Sequence, residues 1–317
     1  MKAIIQTGYG SPDLFELREI DKPVIKDKEI LVKVHATALH AGDVYVMRGV
    51  PYMVRLFAGL PRPKSYVPGY DVAGQVEEVG KNVKQFQPGE DVFGAGQRTC
   101  AEYVCVKEEK LSHKPGNLSF SQAAAVPTSA LSALHGLRDV GKVQAGQKVL
   151  INGATGGVGT YAVQIAKALG AEVTGVCSTR NLDLVRSIGA DHTIDYTQTD
   201  FTQSGQLYDL ILDQVANHSL SACRRRLTPQ GIHIPNSGNS GMAYIINALI
   251  SSLFLRQQAR TYLSVPKKQD LVFLKELIES GKVKPVIDKT YPLSDTPKAF
   301  RYLEEVHARG KVVISVG

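Results

Sequence analysis

The chain has 317 residues, long enough for two domains of ordinary size, and its 43% apolar and 21% charged residues are those of a soluble globular protein. A formal net charge of +7 and a sequence pI near 9.1 favour anionic ligands in general, but the charge is too diffuse to argue for nucleic acid. The dense basic cluster Arg224-Arg225-Arg226 reads as the solvated face of a surface helix. Cys100, Cys105, Cys177 and Cys223 make neither a disulfide framework nor a C-x-x-C pair, which fits a reducing, cytoplasmic compartment.

At the N-terminus, "MKAIIQTGYGSPDLFEL" lacks an unbroken apolar core and a small-residue cleavage site, so no signal peptide is expected. Residues 29–39, 70–80 and 100–111 are rich in Val, Ile and Tyr and separated by turn residues such as Pro88-Gly89, and they predict strands. From about Ser121 the texture becomes helical, with one helical stretch over 119–137. A strand–helix rhythm follows: strand 148–153, helix 157–170, strand 172–177, helix 181–189, and strands 192–196 and 208–215. A helix over Leu220–Leu227 and a strand from Gly231 continue it. Such alternation implies a parallel sheet covered on both faces. The apolar run 242–255 is short of the roughly 20 residues that span a bilayer. It predicts a buried or interface helix, with docking on a membrane surface or partner left open. Helix 269–281, a strand, helix 295–310 and a last strand 311–316 form a tail that returns to the first domain.

The stretch "KVLINGATGGVGTYAVQIAKALG" (148–170) carries the strongest motif. Its frame is Ala154-Thr155-Gly156-Gly157-Val158-Gly159, with alanine where a dinucleotide fingerprint has its first glycine. Gly156, Gly157 and Gly159 leave the backbone free to approach a pyrophosphate, and the helix N-terminus offers free N–H groups and a positive dipole end. Val158, Ala162, Ile165, Ala166 and Leu169 recur at helical spacing, giving one face for the sheet. An NAD site places an acid at the end of the next strand; here Ser178-Thr179-Arg180-Asn181 stands there instead. A hydroxyl and a guanidinium suit a 2′-phosphate, so the expected cofactor is NADPH.

With "NGATGGVGTYAVQIAKALGAEVTGVCSTRN" and "GADHTIDY", the chain resembles the medium-chain dehydrogenase/reductase superfamily, and within it the zinc-independent NADPH:quinone oxidoreductase branch. "LHAGDVYVMRG" (39–49), "PGYDVAGQVEEVG" (68–80), "GKVKPVIDKTYPL" (281–293) and "HARGKVVISV" (307–316) extend the resemblance over nearly the whole chain. It implies an α/β fold in which a Rossmann doubly wound parallel sheet is inserted in a GroES-like β-barrel catalytic domain. The implied limits are 1–123 for the GroES-like domain, 124–264 for the Rossmann domain and 265–317 for the C-terminal return, with the active-site cleft at the junction. It also implies that Tyr196 joins Ser178 and Arg180 around the 2′-phosphate. Ser132, Val215, Asn236, Ser237 and Gly238 would lie along the nicotinamide half. A homodimer through the edge strand of the Rossmann sheet is a further implication.

Zinc-using members of that superfamily place a cysteine where this chain has His40 and a His-Glu pair where it has Tyr70-Asp71. A third ligand is missing near Pro127–Ser129, and Cys100 and Cys105 alone cannot build the four-cysteine lobe. No metal is expected. Without a Lewis acid the hydride needs an acceptor that is already electrophilic, which points to quinones and α,β-unsaturated carbonyls. Tyr45 and Tyr52 match pocket tyrosines of relatives and could supply a proton. His40 stands where quinone reductases commonly carry asparagine, and Asp43 matches a loop-orienting aspartate. A 2-enoyl thioester reductase, a metal-independent alcohol or aldehyde oxidoreductase, and a nucleotide-bound RNA-binding or crystallin-like structural protein are the competing readings.

Overall fold

The computed structural model describes residues 1–63, 66–236, 256–306 and 308–317. Its strands, in chain order, are β1 (Lys2–Gln6), β2 (Phe15–Glu19), β3 (Glu29–Leu39), β4 (Asp71–Val79), β5 (Asp91–Ala95), β6 (Tyr103–Lys107), β7 (Leu111–His113), β8 (Lys148–Asn152), β9 (Glu172–Cys177), β10 (His192–Asp195), β11 (Tyr208–Asp213), β12 (Leu227–Pro235), β13 (Gln258–Ala259), β14 (Ile287–Pro292) and β15 (Lys311–Ser315). Two compact units divide them.

The first unit comprises Met1–Leu131, Pro266–Ser280 and Pro285–Gly317. Its main sheet runs β14-β15-β3-β4-β5-β7, and β6 pairs with the first half of β3. The long strand β3 organises this unit: β15 lies on its second half, and β4 pairs with it antiparallel. Alternation in "EILVKVHATAL" puts Ile30, Val32 and Val34 on one face, as the two-residue period of a strand requires. They join Val72, Val92, Val312 and Phe300 in one apolar core.

The second unit comprises Ser132–Val265 and Gly281–Lys284. Among the described residues its strands pair in parallel, in the order β10-β9-β8-β11-β12-β13. Counting from β8 this is 3-2-1-4-5-6, the dinucleotide-binding order, whose reversal falls between β8 and β11. Ligands of such sheets bind beyond the carboxyl ends of the strands at that reversal.

The structure revises several local expectations. The helical stretch 119–137 is two helices, Phe120–Ala124 and Pro127–Leu134, followed by a π-helical segment His135–Val140. Ser119 and Gln122 cap the first reciprocally, and Pro127 starts the second where its missing N–H costs nothing. Phe120–Ala124 packs on β3, β4, β5 and β15, so the first unit runs on to Leu131 rather than ending at 123. Gly281–Lys284 belongs to the second unit: Gln164 grips Lys284 twice, accepting its N–H at 2.7 Å and donating to its carbonyl at 3.0 Å.

The helix expected over Leu220–Leu227 stops at Arg224, and Leu227 already pairs with Tyr208 as the first residue of β12. Pairing with Tyr208 draws Leu227 into the sheet, where it still joins Cys223, Phe201 and Ile211 in the core. The arginine cluster is correspondingly not a solvated face. Arg225 alone is exposed, and Arg226 donates to the Ser204 carbonyl.

The helix Gly157–Ala168 also differs from its expected one-sided burial. Gly159 through Ala166 are all buried, while Val158 and Leu169 are only half-buried. Burial over two successive turns, Thr160 and Gln164 included, means that the helix is covered on more than one face. The apolar run 242–255 lies outside the described residues, and among these no helix is long and apolar enough to cross a membrane.

Candidate active site

In the second unit, β8 delivers the glycine turn. Gly153 has φ +83°, so it is the residue that needs glycine's left-handed freedom, one place before the motif frame read from the sequence. Ala154 is fully buried, and its methyl fits because the neighbouring strand carries Gly175; a Cβ there would stand 3.1 Å from that of Ala154. That is how alanine replaces the first glycine of the fingerprint. Gly159 has a packing reason as well, since a Cβ on it would run into the Gly153 carbonyl and the Ala154 backbone. Gly156 is the N-cap and offers no side-chain acceptor to the helix. The first-turn amides of Gly157, Val158 and Gly159 therefore have no partner within the helix and can receive an anion. Thr155, Gly156, Gly157 and Val158 are half-buried at this turn.

At the end of β9, Ser178 is half-buried and Arg180 exposed in the short turn Thr179–Asn181. Ser178 Oγ accepts from Asn181 Nδ2 at 3.2 Å. Tyr196, 56% exposed, follows β10, and its N–H donates to Cys177 O at 3.0 Å, so it is brought beside Ser178. The fold adds an acid that sequence order had hidden. Asp195 accepts from Thr179 Oγ1 at 2.5 Å, and its other oxygen takes the N–H and hydroxyl of Thr197. These hydrogen bonds, that of Thr179 foremost, hold its carboxyl below the ordinary range and turn it into its own loop.

At the carboxyl ends of β8, β11 and β12 a polar array forms. Asn236 Nδ2 donates to Ser132 Oγ at 3.0 Å and to Gln214 Oε1 at 3.1 Å, and its N–H donates to Asp213 O. Tyr262 Oη donates to Ser132 O at 2.5 Å. Val215 lies on the glycine turn; a Cβ at Gly153 would meet its side chain at 2.9 Å. Ser237 and Gly238 lie outside the described residues. Asn152, Asp213, Gln214 and Tyr262 were not legible as site residues. An acid closing a strand of a parallel sheet, Asp213, was the one signal available.

Asp213 is fully buried. One carboxylate oxygen accepts from Asn152 Nδ2 (2.8 Å) and from the N–H groups of Val215 (3.1 Å) and Ala216 (2.8 Å); the other lies 3.5 Å from His233 Nε2. Burial alone would raise its pKa, but His233 and the two amides outweigh it and the carboxyl titrates below its ordinary value. A depressed folded-state pKa stabilises above the unfolded value of about 3.9 and loses that contribution as pH falls through the folded value. Asp213→Asn is expected to lower stability at pH 7 and to remove part of the acid-side loss, so that urea midpoints of variant and parent converge between pH 5 and the acid limit. Midpoints that stay equally separated at every pH would refute this. With Cys223, whose thiol burial pushes up to about 12, Asp213 and His233 bring ligand-type atoms within 4.8 Å of one another.

In the first unit, His40 and Asp43 close one capping box on the helix Ala41–Arg48. His40 Nδ1 accepts Asp43 N–H at 3.3 Å, and Asp43 Oδ2 accepts His40 N–H at 2.9 Å. An accepting Nδ1 puts the imidazole proton on Nε2, which is buried and has no partner among the described residues. Tyr70 stands edge-on to this ring, centroids 6.1 Å apart. Burial raises the Asp43 carboxyl, with His40 opposing it. Tyr45 is half-buried on the same helix. Tyr52 is 74% exposed, with the Arg55 guanidinium 4.7 Å from its ring. Among the described residues neither phenol bonds to His40 or Asp43, so the structure joins two of the four candidate catalytic residues and leaves the tyrosines apart.

Beside them is a buried charge pair. Lys311 Nζ, on β15, lies 3.2 Å from Asp71 Oδ2 and donates to Ser129 Oγ at 3.1 Å. The other oxygen of Asp71 accepts both the N–H (2.9 Å) and the hydroxyl of Thr128. Asp71 and Lys311 are 0% and 1% exposed.

Two family models match the chain: "Alcohol dehydrogenase GroES-like domain" over residues 26–136 and "Zinc-binding dehydrogenase" over 188–314. A chloroplast envelope quinone oxidoreductase homolog of Arabidopsis thaliana is 33% identical, covering 99% of this chain and 98% of its own. An NADPH-dependent alkenal/one oxidoreductase of the same plant is 34% identical over 99% of this chain and 79% of its own. The solved quinone oxidoreductase from Coxiella burnetii superposes with a TM-score of 0.88 at 30% identity, covering 100% of this chain and 99% of that one. With whole-chain similarity of this order, a parallel sheet in dinucleotide-binding order and a glycine turn at its head, the chain belongs to the medium-chain dehydrogenase/reductase superfamily, in its quinone oxidoreductase branch.

Proposed function

We propose that this chain is an NADPH-dependent reductase that delivers hydride to quinones or α,β-unsaturated carbonyls without a metal ion. The observation that carries the cofactor reading is the end of β9, where Ser178 and Arg180 stand in place of an acid, Tyr196 lies beside them, and Asp195 is spent on Thr179 and Thr197. The names of the similar plant enzymes support both the phosphorylated cofactor and the conjugated acceptor. The amides of Gly157, Val158 and Gly159 would hold the pyrophosphate, and Ser132 and Asn236 the carboxamide. Bound there, the nicotinamide supplies the hydride.

The residues where zinc-using relatives hold their metal do not suit an ion. Asp71 is neutralised by Lys311 and saturated by Thr128, and a phenol, Tyr70, stands next to it. A lysine ammonium at that carboxylate competes directly with any cation. The buried Asp213–Cys223–His233 group has its carboxylate committed to Asn152 and two amides and a thiol kept protonated by burial. The chain's own part in the reaction is then orientation, exclusion of water and a hydrogen bond to the acceptor oxygen as charge gathers on it. In this reading His40 Nε2–H would make that bond, with its tautomer set by the capping box; Tyr45 would be the second donor, and Tyr52 is the most open to solvent.

The free thiols fit a reducing compartment such as the cytoplasm, and a homodimer through the β13 edge belongs to the same reading. Steady-state rates with NADPH and with NADH, on 1,4-naphthoquinone, an alkyl vinyl ketone and an enoyl thioester, with and without chelator, test the proposal. Turnover of the quinone or ketone with NADPH, unchanged by chelator, is expected. Chelator-sensitive oxidation of a simple secondary alcohol would overturn it.

A further inference from the structure

We propose that Tyr262 is a positioning residue for the nicotinamide end of the cofactor, fixing Ser132 and Asn236 in the geometry in which they meet the carboxamide. This rests on the NADPH-site reading above. Side-chain burial alternates over residues 260–264, and every second side chain is fastened to the segment Ser132–Val140. Arg260 donates to Val140 O, Tyr262 to Ser132 O, and Ser264 Oγ lies 2.9 Å from His135 Nδ1. Thr261, Leu263 and Val265, between them, are exposed, as the two-residue period of an extended chain dictates.

The phenol has a prepared seat. Gly136, one turn after Ser132, is where a Cβ would come 2.7 Å from Tyr262 Oη. The helix then widens into the π-helical segment His135–Val140, a distortion common at functional sites. Proton accounting shows what the phenol does. Its one proton goes to Ser132 O, so its oxygen, 3.3 Å from Ser132 Oγ, can only accept there. Asn236 Nδ2 directs its N–H groups at Ser132 Oγ and Gln214 Oε1, and its side chain also reaches the phenol. Asn236 Oδ1 is thereby left as an acceptor for a carboxamide NH2, and the Ser132 hydroxyl, whose proton otherwise rests on the phenol oxygen, can rotate to serve a carboxamide C=O. Burial pushes the phenol up to about 12, so it remains a donor throughout the neutral range.

Tyr262→Phe removes only the hydroxyl. NADPH binding is followed by cofactor fluorescence and compared with inhibition by 2′,5′-ADP, which occupies the adenosine end alone. The expected result is about a tenfold weaker NADPH affinity, one lost hydrogen-bond anchor, with 2′,5′-ADP unaffected. The loss in Tyr262→Phe/Ser132→Ala should be smaller than the sum of the two single losses. Gly136→Ala, which displaces the phenol without removing it, should give the same selective loss. Unchanged NADPH affinity, or equal weakening of NADPH and 2′,5′-ADP, would overturn the assignment. Should the parent protein bind neither ligand, the cofactor site itself falls and the assignment with it.

Discussion

Lys311→Met is expected to cost the first unit about 3–5 kcal/mol, the penalty of stranding one charge of a buried pair. Asp71 cannot turn to water when its counter-charge is gone: it is 0% exposed and held by Thr128 through both the amide and the hydroxyl. Met fills the lysine stem's volume, so the loss reports charge rather than a cavity. Asp71→Asn/Lys311→Met should recover much of the stability, because an amide oxygen can still accept from Thr128 and no charge is left behind. Urea denaturation of the parent, the two single variants and the double variant measures the cycle. A Lys311→Met variant as stable as the parent would show that the pair is not a buried charge pair in solution.

Arg180→Ala is expected to collapse the preference for NADPH over NADH by about tenfold to a hundredfold, the range of a charge-assisted bond to a phosphate. The loss should fall entirely on NADPH, since NADH presents a ribose hydroxyl that the guanidinium does not need. Ser178→Ala should act in the same direction but more weakly, because Ser178 Oγ is already tied to Asn181. Ratios of kcat/KM for the two cofactors, at fixed acceptor and ionic strength, are the measurement. Equal falls with both cofactors would mean that Arg180 shapes the loop, and the phosphorylated cofactor would have to be argued from another residue.

Local signals carried most of the architecture. The alternation of β3, the strand–helix rhythm after Lys148 and the glycine turn all express physics that acts within a dozen residues. Where expectation failed, a longer-range demand had intervened. Leu227 left its helix to pair with Tyr208, and the helix Gly157–Ala168 is buried beyond the one face its apolar spacing marks. The site divides along the same line. Ser178 and Arg180 follow a strand and a turn, so spacing alone was enough to propose them. Tyr262 reaches Ser132 across 130 residues, Asp71 meets Lys311 across 240, and Asp195 arrives at Thr179 from the neighbouring strand. No periodicity encodes such meetings. Gly153 was missed for a smaller reason: the motif frame begins at the next residue, while the left-handed turn needs its glycine one place earlier.

The Asp71–Lys311 pair also imposes an order on how the chain is made. During synthesis the acid emerges 240 residues before the base that neutralises it, with the whole second unit translated in between. The sheet around β3 can therefore begin but not finish: sealing Asp71 from water before β15 arrives would leave a bare carboxylate in an apolar core. The nucleotide-binding unit, nearly continuous in sequence, is free to fold on the ribosome while its host waits. A nascent chain stalled with residues 1–284 emerged should show a protease-resistant second unit and a first unit still open to cleavage.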